Sequence, residues 1–153
     1  MSHLLSTTPT PCAAVADTLN RCILGIDSND RALFESACLQ TEEMVWIGGG
    51  FNITGWSAIN ALFDKLFTLV TTHTISNIRV DVGDDDSVAH LTAHAISYHA
   101  RPEDAFKEEG QMYTAASLYD IGLVRGEEDG VWRIRRWEAK VLWTRGERAL
   151  LHG

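Results

Sequence analysis

The spacing of apolar residues changes character near residue 70. Before it the period is mostly helical, and after it the chain reads as strand. Val15, Leu19, Cys22, Ile23 and Ile26 recur at helical spacing and predict a first helix over residues 13–26. Gly25 weakens that helix near its end, and Asp27-Ser28-Asn29-Asp30 stops it. The same run caps a second, short helix over residues 31–38, with Ser28 or Asp30 as the N-cap. Residues 42–47 read as a strand. Gly48-Gly49-Gly50 permit a tight reversal, and residues 51–54 return as a second short strand. A third helix is expected over residues 57–69, because Ile59, Leu62, Phe63, Leu66, Phe67 and Val70 form a stripe wide enough to pack on a sheet. Four longer strands follow, over 74–82, 87–100, 110–124 and 131–143, separated by an acidic turn, a polar loop and a second turn.

Helices grouped early and strands grouped late predict an α+β domain in which helices cover one face of a curved antiparallel sheet. Such a sheet and its helices enclose a cone whose open end is a pocket. Residues 1–11 read as a flexible lead-in, 12–145 as one domain and 146–153 as a tail. On the strand over 87–100, one face carries His90, Thr92, His94, Ile96 and Tyr98, the other Leu91, Ala93 and Ala95. The first set is read as facing the pocket, and the apolar second set as facing outward, against another subunit. A shift of one residue would exchange the two. His90 and His99, near the strand ends, are expected to be exposed.

Charge and composition narrow the function. Thirteen basic residues against twenty-one acidic ones give a formal net charge of −8, and the only short basic cluster is Arg133-Ile134-Arg135-Arg136. Binding to nucleic acid needs clustered Lys and Arg to neutralise phosphates, so no nucleic-acid partner is expected. Cys12, Cys22 and Cys38 contain no C-x-x-C pair, which suggests neither a disulfide frame nor a zinc site. The N-terminal residues lack the basic and apolar regions of a signal peptide. No stretch reaches the roughly 18 apolar residues of a membrane span. A cytoplasmic location without a membrane partner is therefore expected. The run Asp84-Asp85-Asp86 reads as a solvated loop tip and not a metal site. There is no G-x-G-x-x-G after a strand, no P-loop and no H-E-x-x-H, so neither cofactor nor metal is expected. Chemistry would fall to side-chain acids and bases.

Two residues stand out for that work. His73 lies in "VTTHTISNIRV", after a helix-like run and at the opening of a strand, where it can face a cavity between them. Asp27 lies at the end of the first helix. On spacing alone, a histidine at a strand start is more often structural and Asp27 a helix-terminal acid, while Asp30 competes for any role as the inward acid. Trp46, Phe63, Phe67, Tyr113, Trp137 and Trp143 supply bulk for pocket walls, although aromatic residues at these spacings are usually core.

The stretches "ILGID", "DSND", "HTISN" and "DGVWRI", in this order and with these elements between them, resemble the SnoaL-like branch of the NTF2-like superfamily. Within it the chain is similar to scytalone dehydratase and to hexachlorocyclohexane dehydrochlorinase. The resemblance spans residues 13–143. It implies an NTF2-like cone built on three N-terminal helices, with Asp27 and His73 as a catalytic acid–base dyad. It also implies a homo-oligomer, trimer or dimer. A carboxylate on one imidazole nitrogen would fix the tautomer and leave the other nitrogen to move a proton.

The sequence also departs from those relatives. Cys22 stands where the dehydrochlorinase has a lysine, and Trp137 near the position of its arginine. Trp46 stands near the dehydratase's first-strand tyrosine, and Thr92 near its second histidine, a role His94 could fill. Ser117 lies close to the dehydratase's asparagine. The reading is a cofactor-independent lyase of dehydratase type, or an isomerase, acting on a small apolar cyclic or polyketide-like substrate. Asp27 and His73 are its catalytic residues. Trp46, Phe63, Phe67, Thr92, His94, Tyr113, Ser117 and Trp137 are its pocket residues. The alternative is a non-catalytic ligand-binding or assembly module of the same fold. A dyad within hydrogen-bond reach at an apolar pocket would favour the enzyme.

Overall fold

The computed structural model describes residues 8–152. Most of the expected lead-in, residues 1–7, lies outside them. Thr10 caps the first helix, α1 (Pro11–Asp27), by accepting the Ala13 N–H at 3.2 Å, and Pro11 occupies its first turn, where a missing N–H costs nothing. The predicted stripe is its buried face: Val15, Leu19 and Cys22 are fully buried, and Ile23 and Ile26 nearly so. Asn29 takes a positive φ of 57° after the helix stops. Asp30, not Ser28, then caps α2 (Arg31–Ser36), accepting the Leu33 N–H at 3.0 Å. Gly25 is required where α1 meets α2, because a Cβ there would sit 2.4 Å from the Phe34 backbone nitrogen.

The hairpin forms as expected from β1 (Val45–Gly48) and β2 (Phe51–Thr54). The third helix is shorter than predicted. α3 covers Trp56–Phe63, a 3₁₀ turn follows at Leu66–Thr68, and the next strand already begins at Val70. The run Val70-Thr71-Thr72 is β-branched and prefers extended backbone, which overrides Val70's place in the helical stripe. His73 is therefore the fourth residue of β3 (Val70–Val82), where the sequence reading begins the strand one residue after it. β4 (Val88–Ala100), β5 (Met112–Arg125) and β6 (Trp132–Gly146) follow near their predicted bounds.

The six strands form one sheet in the order β2-β1-β6-β5-β4-β3. All neighbours are antiparallel except β1 and β6, which run parallel over Val45–Gly48 and Arg136–Ala139. Bulges in β3 after Ser76 and between β5 and β6 at Ala116/Ser117 and Gly122/Leu123 break the register, and such breaks bend a sheet. The helices pack on its inner face. Phe34 is fully buried among Trp56, Phe63 and Phe67, with ring centroids 5.0–6.0 Å apart, a burial worth about 1.5–3 kcal/mol for a side chain of this size.

The face assignment of β4 is corrected. Ala89, Leu91, Ala93 and Ala95 are buried under the helices, and Ser97 and His99 continue the same face. His90, Thr92, His94, Ile96 and Tyr98 lie on the opposite face. The apolar, small-residue face goes inward because the helices need room and burial there. Leu91, Ala93 and Ala95 therefore cannot meet another subunit. Of the residues read as a tail, Leu150 in the short α4 (Ala149–His152) is buried against Tyr113 and Ala115.

Candidate active site

Asp27 is the last residue of α1, where the helix dipole disfavours a negative charge. Donors from β3 offset this. The carboxylate accepts the His73 backbone N–H at 2.7 Å and the Thr71 hydroxyl at 2.8 Å, and it meets His73 Nδ1 at 2.7 Å. Partial burial pushes the Asp27 carboxyl up. The hydrogen bond and charge of the His73 ring, with the backbone and Thr71 donors, outweigh that and hold it below the ordinary carboxylate range. An ionised carboxylate only accepts, so Nδ1 carries the hydrogen and Nε2 is left for the cavity that His73 lines. The two side chains are 19% and 6% exposed, which leaves the pair little contact with bulk water. Asp30 is exposed and occupied with its cap, so it is not the inward acid.

The cavity beside His73 has a volume of about 150 Å³. Trp46, Phe63 and Trp137 give it an apolar wall, with Trp46 set edge-on to both other rings at centroid distances of 5.1 and 4.9 Å. Tyr113, Ser117 and Tyr119 line it from β5. Burial pushes the Tyr119 phenol well up, and the nearby Asp27 carboxylate adds to this, so it stays protonated. The Trp137 indole nitrogen is buried and has no hydrogen-bond partner among the described residues.

A second histidine lines the same cavity. His99 is 3% exposed, and its ring stands nearly perpendicular to that of His73, centroids 5.7 Å apart. Its Nδ1 donates to the Tyr113 carbonyl at 3.1 Å. Ser97, one inward position before it, is also buried at the cavity. The sequence reading expects His99 to be exposed near the strand end and does not single out Ser97, because it takes the other face of β4; the structure buries both. The signal was available: the alternation Ala89, Leu91, Ala93, Ala95 continues in step to Ser97 and His99.

The structure thus brings Trp46, Phe63, Tyr113, Ser117 and Trp137 to the cavity with Asp27 and His73. Three predicted pocket residues lie elsewhere. Phe67 packs on Phe34 beneath the Arg31 guanidinium, 4.5 Å from its ring centroid. Thr92 and His94 are on the outer face, where His94 Nδ1 meets the Asn77 amide at 3.0 Å. His90 is exposed as expected and pairs with Asp120 at 3.1 Å. Trp143 is 46% exposed and outside this cavity. Among the described residues no three His, Cys, Asp or Glu side chains converge as metal ligands would, and no helix is long and apolar enough to cross a membrane.

The sequence model of the SnoaL-like domain matches residues 12–138. The chain belongs to the SnoaL-like family. It is 32% identical over 138 residues to the terrestric acid biosynthesis cluster protein E of Penicillium crustosum, a match covering 90% of this chain and 86% of that protein. Its fold is similar to a solved candidate scytalone dehydratase from Novosphingobium aromaticivorans, with a TM-score of 0.73, 20% identity, and 88% and 86% of the two chains covered. It is also similar to a hexachlorocyclohexane dehydrochlorinase, with a TM-score of 0.69, 18% identity, and 88% and 87% covered. An NTF2-like superfamily protein from Salmonella enterica matches at a TM-score of 0.70 and 16% identity, over 86% and 90% of the chains. The SnoaL-like chain therefore has the NTF2-like α+β cone that its sequence resemblance implied.

Proposed function

We propose that this SnoaL-like protein is a cofactor-independent lyase of dehydratase type, or an isomerase, working by proton transfer on a small apolar cyclic or polyketide-like molecule. The observation that carries the reading is the Asp27–His73 pair at 2.7 Å on the wall of an apolar cavity. His73 Nε2 takes a proton from a carbon next to an activating group, and the Asp27 carboxylate stabilises the imidazolium that forms. A positioned group of this kind contributes on the order of 10²–10⁴-fold in rate. In an elimination, the electron pair of the broken C–H bond forms the new double bond. The C–O bond breaks, and the leaving hydroxyl takes a proton to depart as water. The His73 imidazolium hands the proton it took to that hydroxyl, and His99, facing the same cavity, stands beside this transfer. An isomerisation needs only His73, which returns the proton to another carbon.

The Penicillium crustosum relative supports a place in small-molecule biosynthesis, and the dehydratase and dehydrochlorinase neighbours support lyase chemistry. The Thr71 hydroxyl and the His73 main-chain N–H fix the carboxylate that in turn orients the imidazole, which favours an acid–base role over a non-catalytic module. The test is turnover of a panel of hydroxylated aromatic and polyketide compounds, followed by mass spectrometry for loss of water. His73→Ala and Asp27→Asn are expected to lower turnover by about 10²-fold or more. Unchanged turnover in both variants would end the dyad reading.

A further inference from the structure

The cavity at His73 opens into a second chamber of different chemistry. The inner space, about 150 Å³, accommodates roughly one aromatic ring. The outer chamber measures about 630 Å³ and shares Gly48, Gly49, Phe51, Tyr113, Ala139 and Val141 with the inner one. It exists because β1 pairs with only Arg136–Ala139 of β6, while β6 runs on to Gly146. The glycine turn of the β1–β2 hairpin stands off from that unpaired edge. A substrate larger than one ring, with its reacting carbon at His73, extends into this outer space.

Arg148, on the turn into α4, lines the outer chamber and not the inner one. Among the described residues Arg21, Arg31, Arg101, Arg133 and Arg136 each pair with a carboxylate, while Arg79, Arg125, Arg135, Arg145 and Arg148 do not, and of these five only Arg148 lines either chamber. Arg148 makes no ion pair and no side-chain hydrogen bond among the described residues. The neighbouring Glu147 directs its carboxylate to the Ala149 N–H at 3.1 Å. In a chain of net charge −8, a guanidinium left without a carboxylate beside a chamber of mixed polar and apolar lining is available to an anion from outside. Its charge also reaches the wall the chambers share: burial pushes the Tyr113 phenol up, and Arg148 draws it partly back.

We propose that the outer chamber is a carboxylate subsite, in which Arg148 holds an acidic end of the substrate while a ring-sized portion reaches His73. The fork of a guanidinium matches a carboxylate with two parallel hydrogen bonds, which fixes orientation as well as affinity. Binding energy from this remote end then holds the reacting carbon in place. The inference rests on the proton-transfer reading only for which end of the substrate reacts.

Trp46 and Trp137 line the inner chamber and Trp143 the outer, so intrinsic fluorescence reports entry to both. The probes are 3-phenylpropanoate and its neutral amide, titrated at neutral pH. The acid is expected to bind at least about tenfold more tightly than the amide, and Arg148→Gln to bring the two within about twofold. Lys65→Gln, at the inner rim, is expected to keep the preference. Equal binding in the unaltered protein, or a preference that survives Arg148→Gln, overturns the subsite and leaves the dyad standing. Failure of both probes to bind removes the subsite together with the apolar-substrate part of the proposed function. Turnover insensitive to His73→Ala removes only the proton-transfer reading.

Discussion

Asp27 Oδ1 lies 2.7 Å from His73 Nδ1 across 46 positions of sequence, and Oδ2 of the same carboxylate holds the His73 main-chain N–H, also at 2.7 Å. One acid thus fixes both the strand and the ring it carries. The ring cannot tilt away without breaking a bond that also ties β3 to the end of α1.

That arrangement makes stability respond to acid. The folded Asp27 carboxyl sits below its ordinary value. Its contribution is therefore fully present above the unfolded value of about 3.9 and is lost as pH falls through the lower folded value. Urea unfolding from about pH 6 to pH 2 is expected to show a steeper loss for the unaltered protein than for Asp27→Asn. Parallel curves would mean that Asp27 contributes no such linkage.

Asp30 provides the contrast within the same turn. Its carboxylate caps α2 and faces solvent. Asp30→Ala is expected to cost about 1 kcal/mol in urea unfolding while leaving turnover unaffected. A loss of turnover comparable to that of Asp27→Asn would move the acid assignment.

At Gly25, helix propensity alone would favour alanine by about 1 kcal/mol. The Phe34 backbone nitrogen, 2.4 Å from the position of an added Cβ, reverses that sign. Gly25→Ala is expected to destabilise by about 1–3 kcal/mol, as overpacked sites do. The loss should appear as a lower urea midpoint with an unchanged slope.

Much of this was legible in the chain. The α1 stripe ending at Ile26 and Asp27, the hairpin around Gly48-Gly49-Gly50 and the late strands all follow from period and turn chemistry. Two features were not. Val70 fits both a helical stripe and a β-branched strand start, and only the sheet pairing of Val70 with Ala100 decides between them. On β4 both faces carry histidines, so the histidines alone could not choose the inner one, and the alternation of small apolar residues that marks it decides only once the helices are known to cover that face. The helices decided it, by needing small apolar side chains beneath them, and His99 followed Ala95 inward while His94 went out.

The two faces of β4 make opposite predictions. His99→Ala is expected to lower turnover or binding of a true substrate by about tenfold or more, because its ring walls the cavity beside His73. His94→Ala should leave both unchanged. Equal effects in the two variants would show that His99 takes no part.

An oligomer, if it forms through the sheet, must use the outward residues and not Leu91, Ala93 or Ala95. Ile96 and Leu118 lie on that face near Ala116, and Tyr98 is 38% exposed. Light scattering is expected to give a dimer or trimer, and Ile96→Arg to shift it toward monomer. A monomeric unaltered protein would refute this.

The parallel pairing of β1 with β6 bears on how the chain matures as it leaves the ribosome. Asp27 and His73 precede Trp137, Ala139 and Val141 of the cavity, which lie on the strand that follows the other five in the chain. β1 has no partner but its own hairpin until β6 arrives, and Thr18 of α1 waits for the Trp132 carbonyl 114 positions later. Contacts of such sequence separation form late and slowly. Until then the apolar faces of α1 and α3 lack part of their cover, so a chain stalled before β6 exposes the surface that favours aggregation and has no complete cavity.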